Sequence, residues 1–111
     1  MPVELLYLRA KKEEDQITVH WATASEVNND YFEVQVSEDG SSYRTVGTVP
    51  GAGNSNEVIN YEYEYSESNP VKYVRLRQVD YDGAEEFHGP VYIKQNDDAE
   101  DFQPEVYPNP V

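Results

Sequence analysis

The residues of this chain whose types and spacing could do chemistry are mostly acidic. Asp80-Tyr81-Asp82-Gly83 and Asp97-Asp98-Ala99-Glu100-Asp101 crowd carboxylates into short segments. Oxygen-rich stretches of this kind suit calcium, a hard cation that takes about six to eight oxygen ligands. Asp80, Asp82, Asp97, Asp98 and Asp101 are accordingly the candidate cation ligands. Neither segment completes an EF-hand, because a third acidic position ahead of Gly83 is missing. A solvated acidic surface with no resident cofactor is the plainer reading, and it carries more weight.

The other chemistry-bearing residues form no catalytic pattern. His20 and His88 fall in neither HxxxH nor HExxH spacing, and each reads as a surface or rim residue. No GxSxG is present, and Gly51-Ala52-Gly53 is not followed by the GK[ST] of a phosphate loop. A glycosidase-type pair would need one carboxyl with a raised pKa inside a cleft, and no pair stands out. The chain has no cysteine, so disulfides, thiolate metal sites and cysteine catalysis are excluded. No catalytic residue is nominated, and the chain is not expected to be an enzyme.

Tyrosine is the conspicuous aromatic, with 10 copies against 3 Phe and 1 Trp. Tyr61, Tyr63 and Tyr65 share one face with Ile59. An exposed row of rings would make a glycan-binding platform, although such a stripe more often lines a core. Carbohydrate binding or adhesion is therefore the alternative function.

The elements that must position these residues read as strands. Ile17, Val19 and Trp21 alternate with polar residues, and so do Phe32, Val34 and Val36. Period-2 alternation marks a strand with one buried and one wet face. Seven extended segments follow: residues 4–11, 16–23, 31–37, 42–49, 58–65, 71–79 and 85–94. Asp39-Gly40 and Asp82-Gly83 supply the positive-φ chemistry of tight turns. Residues 50–56 are rich in Gly and Asn and read as a loop. Residues 25–29 have room for one helical turn at most. Gly89-Pro90 marks a bulge or an edge position. The expected fold is all-β, a seven-stranded antiparallel β-sandwich of the fibronectin type III or immunoglobulin kind. Its core is assigned to Val19, Trp21, Phe32, Val34, Tyr73 and Leu76, with Arg75 and Arg77 on an outer face.

Length and charge bound the rest. At 111 residues the chain has room for one two-layer domain. A net charge of −14, from 22 acidic and 8 basic residues, repels phosphate and excludes nucleic acid as a partner. It weighs equally against anionic membrane surfaces. No apolar run approaches the roughly 20 residues of a membrane span, and no signal peptide is visible. Met1, followed directly by Pro2-Val3-Glu4-Leu5, reads as an initiator set on a segment of a longer protein.

Four motifs in order are more specific than the strand pattern. PVELLYLRAK (2–11), WATASEVNNDYFEVQVSEDG (21–40), VGTVPGAGNS (46–55) and YVRLRQVDYDG (73–83) together resemble a known family. It is the fibronectin-III-like module that precedes the C-terminal sorting domain of proteins exported by the type IX secretion system of Bacteroidota-type bacteria. Tyr107-Pro108-Asn109-Pro110 resembles the opening motif of the sorting domain itself.

The resemblance implies a sandwich at residues 1–95, then an acidic linker and the start of a truncated sorting domain at 96–111. It also implies a secreted or outer-cell-surface location and a spacer role between an upstream effector domain and the sorting domain. The expected partners are neighbouring domains of the same polypeptide, with glycans as the alternative.

Overall fold

Alternation along the chain becomes strand after strand in the computed structural model, which describes residues 3–95. Six strands are present among the described residues: β1 (Val3–Glu13), β2 (Gln16–Ser37), β3 (Arg44–Ser55), β4 (Ile59–Ser66), β5 (Tyr73–Asp80) and β6 (Glu85–Gln95). The all-β expectation holds, whereas the seven-strand count does not. The two expected strands flanking residues 24–30 are one 22-residue strand, β2.

The polar stretch inside β2 is a bend, because its backbone finds partners on both sides. Ser25 and Glu26 sit opposite Glu4 and Val3 of β1. Asn29 sits opposite Gly53 of β3 and Asp80 of β5. Asn28 takes a left-handed φ of 57°, a conformation that Asn tolerates better than most residues, and the register with β3 shifts between Glu26 and Asn29 and again between Asn29 and Tyr31. No helical turn forms at residues 25–29.

The bend lets one strand pair with four others. The first half of β2 lies between β1 and β4, and the second half between β5 and β3. A short parallel pairing, Ala10 with Ile93 through Lys12 with Gln95, joins β1 to β6. Together with β5–β6 pairing it closes a ring of four strands, β1–β2–β5–β6. Strands β3 and β4 hang on the outer sides of β2.

The expected loop at residues 50–56 is largely the end of β3. Its Gly and Pro residues do not break the strand, because β3 must follow β2 round the bend at close range. A Cβ added at Gly51 would lie 2.4 Å from Asn29 Nδ2. Gly53 has a φ of 77°, and a Cβ there would meet the Tyr81 hydroxyl at 2.7 Å. Glycine is what such a close backbone approach requires.

The core is made by the inward-facing residues of the strands. Val19, Trp21, Phe32, Val34 and Leu76 are fully buried, joined by Leu8, Ile17, Val36 and Val74. The Trp21 ring meets Phe32 edge-on at 5.4 Å and stacks on Tyr61 at 5.4 Å, so the rings join both halves of β2 to β4. Tyr73 corrects the expected core. It is half-buried on the outer face, with its ring 4.8 Å from that of Tyr92. Alternation in β5 sends Val74, Leu76 and Gln78 inward, so Tyr73, Arg75 and Arg77 must face outward.

Candidate functional site, a buried carboxylate at the strand bend

The most concentrated polar chemistry lies where β2 changes its partner strands. Glu26, only 1% exposed, is a carboxylate inside the fold. Burying a charge without partners is costly, so its partners decide whether it survives there as an anion. Both oxygens are used. Oε1 accepts from Asn29 Nδ2 at 2.8 Å and from the Ala52 amide at 2.9 Å. Oε2 accepts from Thr23 Oγ1 at 2.8 Å and from the Tyr61 hydroxyl at 2.6 Å.

Burial pulls the Glu26 pKa upward, but the donors, Tyr61 foremost, outweigh it and hold the group below its ordinary range. Tyr61 responds in the opposite sense. Burial and then its hydrogen bond to Glu26 push its phenol well above the usual value. The network continues through Asn29 Oδ1, which accepts from Gln78 Nε2 at 3.1 Å, and Gln78 Nε2 also donates to Asp80 Oδ1 at 2.6 Å.

A second buried carboxylate stands at the far end of β4. Glu67, 4% exposed, forms an ion pair with Arg44 at the start of β3. It also accepts from the Tyr65 hydroxyl at 2.9 Å and the Asn69 amide at 3.1 Å. Burial acts to raise its pKa, and the Asn69 amide, Arg44 and Tyr65 together bring it below the ordinary range.

Between the two carboxylates, the Tyr63 hydroxyl donates to the Val46 carbonyl of β3 at 2.8 Å. Gly47 leaves room for that ring, since a Cβ there would lie 2.1 Å from Tyr63. Tyr61, Tyr63 and Tyr65 are thus half-buried, their hydroxyls spent on Glu26 of β2, the Val46 carbonyl of β3 and Glu67 just past β4, and they do not make an exposed glycan platform.

The candidate cation ligands are differently placed. Asp80 gives one oxygen to Gln78, and its backbone closes the β5–β6 turn by accepting from Gly83 at 2.9 Å. Asp82 Oδ1 accepts from the Ala84 amide at 2.9 Å. Each acid is engaged in its own turn, and the described residues contain no group of three or more His, Cys, Asp or Glu able to hold a metal ion. Asp97, Asp98 and Asp101 lie outside the described residues, as do Tyr107, Pro108, Asn109 and Pro110.

His20 lies half-buried on the outer face of β2, in register with Arg9 on one side and Glu62 on the other. His88 overturns its surface assignment. It is 5% exposed, and its Nε2 has no hydrogen-bond partner among the described residues. The bulge at Gly89-Pro90, a cis peptide, shifts the register between Val74 and Leu76. Alternation in β6 consequently changes phase, with His88 inward before the bulge and Ile93 inward after it.

Burial lowers the His88 pKa, with Glu86 opposing. Unfolded chains therefore bind a proton below the ordinary value of 6.5 that the folded chain refuses, and stability falls as pH drops through that value. Glu26 and Glu67 add a loss at lower pH, as the medium passes below their ordinary value of 4.5 towards their folded pKa values. Urea unfolding at pH 7.5, 5.5 and 4 is expected to show both losses, and His88→Leu should remove the upper one. Equal stability of the native chain at pH 7.5 and 5.5 would contradict the His88 assignment.

Glu26 and Glu67 were not legible as special in the sequence, where both stand in polar segments. What they can do chemically is limited by what already surrounds them. Glu26 has its oxygens filled by neighbouring strands and faces no solvent, so it acts as a clamp. Comparison with protein-family profiles, curated proteins and solved structures finds no match to the chain.

Proposed function

We propose that this chain is a non-catalytic structural module, a stiff spacer that holds one domain of a longer polypeptide away from its attachment point. The observation carrying this reading is the fate of its buried charge. Glu26 and Glu67 are spent on tying β2, β3 and β4 together. A closed four-strand ring with both hanging strands bolted down resists local opening, which is what a spacer exposed to proteases needs.

The kinship we propose is with fibronectin type III and immunoglobulin-like modules, and the setting is a secreted or cell-surface protein of the type IX export route. The four ordered motifs and the Tyr107–Pro110 motif support that setting, with an upstream effector domain and a downstream sorting domain as neighbours. The test is a fusion in a Bacteroidota host. A secreted reporter, residues 1–111 and a complete sorting domain are joined, and a Gly/Ser linker of equal length replaces the module in a control. The module is expected to preserve surface reporter activity under added protease while the linker loses it. Equal reporter survival in both would overturn the spacer role.

A second reading, adhesion to glycans, is favoured by a separate set of rings. Phe87 and Tyr92 are 44% and 63% exposed on the outer face of β6.

A further inference from the structure

The bulge that turns His88 inward has a second effect. On either side of it, Phe87 and Tyr92, five residues apart, face outward together. Tyr73 of β5 pairs with Tyr92, their rings 4.8 Å apart and their hydroxyls 3.3 Å apart. Beside them Arg75 places its guanidinium carbon 4.0 Å from the Tyr43 ring centre and 4.3 Å from that of Phe87. Its Nε donates to Gln35 Oε1 at 2.8 Å, which fixes the plane of the group. Aromatic contacts on a guanidinium add cation–π attraction and hold the fork rigid.

The charge around this fork is unusual for so acidic a chain. Arg44 is paired with Glu67, and Arg77 with Glu33 and Glu85. Arg75 has no carboxylate at ion-pair distance among the described residues, and its terminal nitrogens make no hydrogen bond there. A pre-oriented cation with donors to spare, set beside exposed rings, complements a ligand that carries both a carboxylate and a flat C–H face. A uronic acid residue has both. The overall charge of −14 repels a long polyanion, while screening over about 8 Å at physiological salt leaves a single nearby carboxylate governed by Arg75.

We propose that the outer face of β5 and β6 binds a uronic acid residue within an otherwise neutral oligosaccharide. Arg75 takes the carboxylate through its terminal nitrogens, the planar fork suiting two parallel hydrogen bonds. Tyr92 and Phe87 stack on the sugar faces. The inference rests on the adhesion reading and sharpens it to a ligand class, and the spacer role stands or falls separately.

The test uses the full chain on an array of oligosaccharides in matched pairs, each neutral parent beside its derivative bearing one glucuronic acid. Titration calorimetry in 150 mM NaCl then follows for the strongest pair. The uronate member is expected to bind at least tenfold more tightly than its parent. Arg75→Gln should abolish that difference, and Tyr92→Ala should weaken both members, in variants whose unfolding midpoints confirm folding. Equal binding of both members, unchanged by Arg75→Gln, would overturn the uronate assignment and leave glycan adhesion standing. Binding indifferent to both substitutions would overturn this face as the site. No binding to any pair would overturn the inference and the adhesion reading together.

Discussion

Glu26→Ala is expected to lower the unfolding free energy by about 3–5 kcal/mol, through the buried donors that lose their shared acceptor. The loss is large because the substitution strands four donors at once. Thr23 Oγ1, Asn29 Nδ2, the Ala52 amide and the Tyr61 hydroxyl all point at the vacated oxygens. Each buried donor left without a partner costs about 1–3 kcal/mol, and water entering the space recovers only part of that. Glu26→Gln should cost less but still destabilise, because its amide nitrogen would face donors where an oxygen accepted. Urea unfolding at pH 7.5 reads both effects. An Ala variant within about 0.5 kcal/mol of the parent, the scatter of ordinary surface substitutions, would mean that the clamp contributes little.

Trp21→Ala is expected to cost a similar amount, about 3–5 kcal/mol, by a different mechanism. The indole is fully buried and contacts Phe32 edge-on and Tyr61 face-on. Deleting it opens a cavity at the place where both halves of β2 meet β4. For a domain of this size each kcal/mol moves the melting temperature by roughly 4–8 °C, so the variant should melt far below the parent or fail to fold. Trp21→Phe keeps a ring in the site and should recover much of the loss. An alanine variant that melts within a few degrees of the parent would show that these rings do not anchor β4 to β2.

How far the sequence disclosed this structure varies from residue to residue. Strict alternation made Val19, Trp21, Phe32, Val34 and Leu76 readable as inward-facing, and each is buried. The same alternation argued against Tyr73, whose neighbours Val74 and Leu76 occupy the inner face of β5. The bend in β2 was hidden because a polar run in a strand looks the same as a linker. Only the opposing strands, which bond to Ser25, Glu26 and Asn29, distinguish them. Gly51 and Gly53 were read as a loop for the reason that makes them useful in β3: they lack the side chain that Asn29 and Tyr81 would meet.

The candidate site was less legible still. Glu26 draws its importance from donors spread between Thr23 and Tyr61, and no short-range pattern brings these together. The tyrosine stripe was visible, but its role depended on what faced the hydroxyls. Glu26 of β2 and the Val46 carbonyl of β3 face two of them, and Glu67, just past the end of β4, takes the third. His88 and the outward pair Phe87 and Tyr92 depend on a phase change at Gly89-Pro90. The sequence marked that position as irregular without giving the direction of the shift.

The central claim is that buried Glu26, bonded by the Tyr61 hydroxyl and the Ala52 amide, holds β4 and β3 to the bend of β2. A double-mutant cycle on Glu26→Gln and Tyr61→Phe tests it most directly, since phenylalanine keeps the ring on Trp21 and removes only the hydroxyl that reaches Glu26. Measured by urea unfolding, the two substitutions are expected to couple by about 1–3 kcal/mol, within the range for residues sharing one network. Effects that simply add, to within about 0.5 kcal/mol, would contradict the clamp.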